Sequence, residues 1–178
     1  KGSATATAGT VTVTSNTLSP DGTYTFYANA SDSAGNASAC TSFGLAYTLD
    51  TTAPTVTGLS NSATPVQSKT WTWGCSEASC TYLFAVDQAS NTTPTGTYAS
   101  TTTATQASGN GTYYIHVIAK DAAGNTSAVA HYSAVLDNQA PGAPSSLSLV
   151  TPASSPGNNA TPTIQIGGVS AGDTIGLY

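Results

Sequence analysis

The sequence predicts an all-β protein, a sandwich or barrel of short strands, on three observations. Apolar and polar residues alternate with a period of two. Gly, Asn, Asp, Ser and Pro clusters interrupt that alternation every 8 to 12 residues or so, as they do between strands. Helix formers are scarce: Met is absent and Glu77 is the only glutamate. The alternating segments come in order along the chain. Val11-Thr12-Val13-Thr14 is the first. Tyr24 to Ala30 follows, with Tyr24, Phe26 and Ala28 on one face. Trp71-Thr72-Trp73, the run Thr81 to Val86, and Ile164-Gln165-Ile166 come next, and Ile175 to Tyr178 reads as a last strand. Thr tolerates the wet face of a strand because its β-branch favours extended backbone. That accounts for the abundance of Thr in a chain with 55 Ser and Thr among 178 residues.

Composition excludes several functions. Charged residues are 6% of the chain, against roughly a quarter in an average domain. Three basic residues and a net charge of -5 exclude nucleic acid as a main partner, which needs Lys and Arg on phosphates. They also disfavour docking on anionic membranes. No run reaches the ~18 apolar residues that span a bilayer, so no direct membrane insertion is expected. No signal peptide is visible, which reads as a mature product or an excerpt.

The chain repeats itself. Asp21-Gly22-Thr23-Tyr24 recurs 89 residues on as Asn110-Gly111-Thr112-Tyr113, and Asp32-Ser33-Ala34-Gly35-Asn36 recurs at the same offset as Asp121-Ala122-Ala123-Gly124-Asn125. Leu49-Asp50-Thr51-Thr52-Ala53-Pro54 recurs 87 residues on as Leu136-Asp137-Asn138-Gln139-Ala140-Pro141. Three blocks in one order divide the chain into residues 54–140, a complete unit, residues 1–53, the C-terminal half of a unit, and residues 141–178, the N-terminal half of one. The two halves together make one further unit. Either the chain is an excerpt of a covalent tandem array, or the C-terminal half of one chain completes the N-terminal half of the next. The excerpt is the favoured reading, because a chain ending inside a strand leaves bare edges.

The Gly-Thr-Tyr strand, the Asp-x-Ala-Gly-Asn turn, the Leu-Asp-x-x-Ala-Pro linker and the length of the unit resemble the bacterial immunoglobulin-like repeats of large surface and adhesin-type proteins. The resemblance covers the whole chain once the halves are joined. It implies tandem two-sheet β-sandwiches of about seven strands arranged end to end. It also implies an extracellular structural role in a fibre, stalk or adhesin, with neighbouring copies of the repeat as partners and no enzymatic activity. A carbohydrate- or protein-binding module and a spacer of a secreted hydrolase are the alternatives; the external ligand is unknown.

Candidate residues follow. Tyr24 and Tyr113 stand where immunoglobulin-type sandwiches place a tyrosine whose hydroxyl bonds back to the preceding backbone. The position two residues later, a core cysteine in antibodies, is Phe26 in one unit and Ile115 in the other. Pro54 and Pro141 stiffen the linkers. Trp71 and Trp73 share a face: one of the two is expected in the core, with an exposed aromatic binding surface as the alternative. Cys75 and Cys80 are spaced to close a hairpin tip by a disulfide, which needs an oxidising compartment. Cys40 has no local partner. Asp50, Asp137, Asp32 and Asp121 are candidates for calcium at the junctions, but calcium takes six to eight oxygens and the chain has eight acidic residues in all. The alternative is local: Asp32 and Asp121 cap their turns through backbone N–H groups. His116 and His131 have no counterpart in the other unit, where Tyr27 and Gly44 stand. His116 lies opposite Ile115 and Val117 and is expected to face solvent. No hydrolase or phosphate-binding motif is present.

Overall fold

The computed structural model describes residues 1–7 and 9–178, and among these there is no helix. Residues 54–140 form a two-sheet β-sandwich. Its strands are β3 (Val56–Thr57), β4 (Ser62–Val66), β5 (Lys69–Thr72), β6 (Gly74–Cys75), β7 (Thr81–Asp87), β8 (Thr103–Gln106), β9 (Gly111–Lys120) and β10 (Ala130–Leu136). Flanking it are two hairpins. β1 (Gly22–Phe26) pairs with β2 (Leu45–Leu49), and β11 (Ser146–Thr151) pairs with β12 (Thr163–Gly167), both antiparallel.

One layer of the sandwich is the four-stranded sheet β4-β10-β9-β7. The other is made by β5 with β8 and by β6 with β3. The Trp73 amide donates to the Thr102 carbonyl at 3.0 Å, so β5 and β6 read as one strand that changes partner at Trp73. Counted this way, the unit has seven strands. β4 runs parallel to β10, while every other pairing in the unit is antiparallel.

The core follows from the alternation. Ile115, Val117 and Ala119 point inward from β9, Ala134 and Leu136 from β10, and Tyr82 from β7. Trp71 and Trp73 close over them from the opposing layer, 2% and 3% exposed. Trp73 meets Tyr82 edge-on at 6.3 Å and Phe84 at 5.2 Å, the tilted arrangements that aromatic rings prefer. Neither indole N–H finds a partner among the described residues. The aromatic binding surface at Trp71 and Trp73 is therefore corrected: both rings fill the space between the sheets and present nothing to a ligand.

The two hairpins at the heart of each unit share one register. Gly22 pairs with Leu49 and Tyr24 with Tyr47 in the first; Gly111 pairs with Leu136 and Tyr113 with Ala134 in the second. These are the same pairs displaced by 89 and 87 residues. The turns match as well. Asp32 Oδ1 accepts from the Asn36 amide, as Asp121 Oδ1 does from that of Asn125, both at 2.8 Å. The Ala30 and Ala119 amides donate to Ser38 Oγ and Ser127 Oγ at 3.0 and 2.9 Å. The Tyr24 hydroxyl donates to the Pro20 carbonyl, four residues back. The Tyr113 hydroxyl packs so closely on Gly109, also four residues back, that a Cβ there would collide with it.

Two expected strands are absent. Val11 to Thr14 and Ile175 to Tyr178 have no ladder partner.

Replacing Trp71 with alanine deletes the largest buried side chain at the sheet interface. It should lower the unfolding free energy by about 3–5 kcal/mol, read as a shifted midpoint in urea denaturation followed by tryptophan fluorescence of the remaining Trp73.

Candidate functional site

The junction between residues 1–53 and the complete sandwich is held from both sides. On the upstream side, Asp21 accepts hydrogen bonds from the Thr51 amide at 2.9 Å, the Thr51 hydroxyl at 2.8 Å and the Thr52 hydroxyl at 2.9 Å. These bonds, the Thr51 amide first, hold the Asp21 carboxyl below the usual 3.8. On the downstream side, Asn125 Nδ2 donates to the Asp50 carbonyl at 3.1 Å. Pro54 is fully buried, and Thr55 and Ser76 bond to each other twice, the Thr55 amide to Ser76 Oγ and the Ser76 amide to the Thr55 carbonyl, each at 3.0 Å. The Asp50 side chain makes a local turn, accepting from the Thr52 amide at 3.0 Å. Asp21 is the residue that motif reading missed. Its signal was available: its counterpart Asn110 makes the equivalent bond, accepting at Oδ1 from the Asn138 amide at 2.6 Å.

Among the described residues, the second junction is held from the upstream side only. The Asp137 amide donates to the Val66 carbonyl at 2.9 Å, and Asn138 Nδ2 to the Gly109 carbonyl at 2.8 Å. Pro141 is exposed where Pro54 is buried. Among the described residues, the β11–β12 hairpin that follows Pro141 does not cover it.

The calcium candidates divide. Asp50 and Asp121 come together, with one carboxylate oxygen of each, and one of Glu77, all within 4.8 Å of one another. Asp32 and Asp137 lie elsewhere, exposed, each bonded to its own turn. Glu77 is brought to the junction by the loop that the Cys75–Cys80 disulfide closes. Asp121 is buried, with Oδ1 taken by the Gly124 and Asn125 amides and Oδ2 by Asn125 Nδ2. Its burial works to raise its pKa, but the bonds from Asn125 and Gly124 outweigh that and hold it below 3.8. Desolvation, then the negative charges of Asp50 and Asp121, push the Glu77 carboxyl above 4.5. No Lys or Arg pairs with the three carboxylates among the described residues. The cluster offers a hard cation three carboxylates, half or fewer of the ligands calcium takes.

The flanking hairpins present a different feature. In the complete unit Ile115, Ala134 and Leu136 face the opposing sheet. Their counterparts Phe26, Tyr47 and Leu49 line the same face of the β1–β2 hairpin, with Leu45 beside them. Leu45 is 71% exposed and Tyr47 52%. The β11–β12 hairpin likewise exposes Leu147 and Leu149. Free Cys40 is exposed as well.

His116 is a correction. It does lie on the face opposite Ile115, but it is fully buried. The alternation placed it on the correct face; Asp87 on β7 and His131 on β10 flank it there. Hydrogen bonds from the Thr92 hydroxyl first, then from the Ala89 amide and from His116, lower the Asp87 pKa below 3.8 against the opposing effect of burial.

No protein-family model matches the chain. No curated protein matches it. Among solved structures, it is similar to the fibronectin(III)-like modules of Clostridium thermocellum CbhA, at 19% identity and a TM-score of 0.35. The similarity covers 67% of this chain and 64% of that one, so the chain spans just under two thirds of that structure.

Because the folded-state pKa of Glu77 lies above its unfolded value of 4.5, its ionisation costs stability as pH rises through that interval. Above the interval the repulsion is fully present. Glu77→Gln should raise the melting temperature at pH 7 and leave it unchanged at pH 3, where both side chains are neutral. Calorimetry at the two pH values reads the difference.

Proposed function

We propose that this chain is a structural segment of an extracellular bacterial fibre, stalk or adhesin, of the immunoglobulin-like repeat type, that spans distance and has no catalytic role. Its partners are neighbouring copies of the same repeat. The observation that carries this reading is the junction, where Asp21 grips the linker from the upstream unit and Asn125, Pro54 and Ser76 grip it from the downstream one. A linker tied on both sides keeps successive units in one orientation and turns added repeats into added length.

Topology supports the same reading. The chain enters the sandwich beside Asn125, in the turn between β9 and β10, and leaves it beside Gly109, ahead of β9. These points lie at opposite ends of a ten-residue strand, about 33 Å apart. Neighbours joined through them line up rather than fold back. The exposed faces of the two half units complete the account. The apolar residues Leu45, Tyr47, Leu147 and Leu149 exposed on the β1–β2 and β11–β12 hairpins are surfaces that a neighbouring copy of the repeat can cover. The disulfide fits an oxidising, extracellular setting.

Small-angle scattering tests this reading. The purified chain should be elongated, and its maximum dimension should grow with concentration as half units pair between copies. A compact, concentration-independent globule would sink the proposal. Asp21→Ala should broaden the distance distribution at neutral pH. In the parent chain the same loosening should appear only as pH falls from 3.8 through the depressed Asp21 value, since a lowered carboxyl pKa gives stability that is lost on protonation.

A further inference from the structure

Three side chains form a row across three adjacent strands on the outer face of the larger sheet. His116 on β9 stands directly opposite His131 on β10, and Asp87 ends β7 on the other side. The His116 Nδ1 and His131 Nδ1 atoms are 2.6 Å apart. His116 Nε2 lies 3.3 Å from Asp87 Oδ1. Asp87 is itself fixed by the Ala89 amide, which donates to the same oxygen at 2.8 Å.

The chemistry of the row is directional. An ionised carboxylate only accepts, so Asp87 keeps the proton of neutral His116 on Nε2. That leaves the Nδ1 lone pair of His116 aimed at His131. A buried imidazole whose far nitrogen is held by a carboxylate is the arrangement that orients histidine for a metal ion and raises its basicity. His131 is an exposed residue, free to adjust, and the proton that its Nδ1 shares with His116 moves to its Nε2 when both Nδ1 lone pairs face an ion.

We propose that His116 Nδ1 and His131 Nδ1 bind a late first-row divalent cation, with zinc as the type case and Asp87 as the outer partner of His116. Imidazole nitrogens select zinc, copper and nickel over magnesium and calcium. Zinc–nitrogen bonds of roughly 2.0–2.1 Å at a tetrahedral angle put the two nitrogens about 3.3 Å apart. The pair opens by about 0.7 Å to admit the ion, a movement that the exposed His131 side chain supplies by rotation. Two coordination positions then remain for water. The site belongs to the complete unit alone. At the equivalent cross-strand position of the other hairpin, the Tyr27 ring lies against Gly44 and no ligand atom is offered by the glycine.

Calorimetric titration with zinc, in excess magnesium to occupy the carboxylates, tests the site. The full chain carries Cys40→Ser, because the exposed thiol is a competing ligand. One zinc per chain is expected. His131→Ala, an exposed position that leaves the core untouched, should abolish binding, and His131→Gln should do the same. Asp87→Asn should weaken binding about 10–100-fold, and Glu77→Gln should leave it unchanged. Circular dichroism checks that each variant is folded. The proposal is overturned if the parent chain takes up no zinc, or if either His131 variant binds as well as the parent. Loss of binding in Glu77→Gln would also overturn it, since the ion would then sit at the junction carboxylates.

Discussion

A sheet with one apolar face needs a second sheet to cover it, and this constraint decides the condition of every part of the chain. Residues 54–140 meet it within themselves. Trp71 and Trp73 from one layer bury Ile115, Val117 and Leu136 from the other. Among the described residues, the hairpins on either side have no opposing sheet over their apolar faces. The same pattern of residues that makes a dry core in one place makes an exposed face at Leu45 and Tyr47 in another. Nothing in the local sequence distinguishes the two cases; what differs is the presence of the opposing layer.

With so few charges, the polar work falls to short neutral side chains and to a handful of aspartates. Turns are closed by Asp32 and Asp121, strand ends by Ser38 and Ser127, and linkers by Asp21 and Asn110. Each reaches a backbone amide nearby, or across a short gap, with little side-chain entropy to lose. Such bonds depend less on ionic strength than salt bridges do. Asn125 has two tasks: it closes its own turn through Asp121 and holds the upstream linker at Asp50. Turn geometry and junction geometry are therefore set by one amide.

The sequence made the strand faces legible because period-two alternation is a local property. It also made the repeat legible, and the matching registers of Gly22 with Leu49 and Gly111 with Leu136 show why: the conserved spacing is that of a hairpin. What alternation cannot report is which face is covered. It put the two tryptophans together without settling whether a sheet lay over both, and it put His116 on the outer face, with His131 on the next strand, without revealing Asp87 on its other side or the burial of the ring. The carboxylate group at the junction escaped for a related reason. Asp50, Glu77 and Asp121 are distant along the chain, and the disulfide-closed loop that carries Glu77 to the others is positioned only by the folded sandwich. Val11 to Thr14 shows the opposite error, a sound strand pattern with no neighbour to pair with.

The parallel pairing of β4 with β10 has a mechanical consequence. Ser62 stands opposite Ala134 and Val66 opposite Leu136, with the Asp137 amide bonded to the Val66 carbonyl beyond them. Along the chain, β4 follows the entry linker and β10 runs directly into the exit linker. A pull on both linkers drives β4 and β10 past each other along their common direction. The hydrogen bonds between them run across that direction, so they bear the load together instead of opening one at a time. Resistance to extension is thereby concentrated at one short ladder, and the buried rings behind it are sheltered until that ladder gives way.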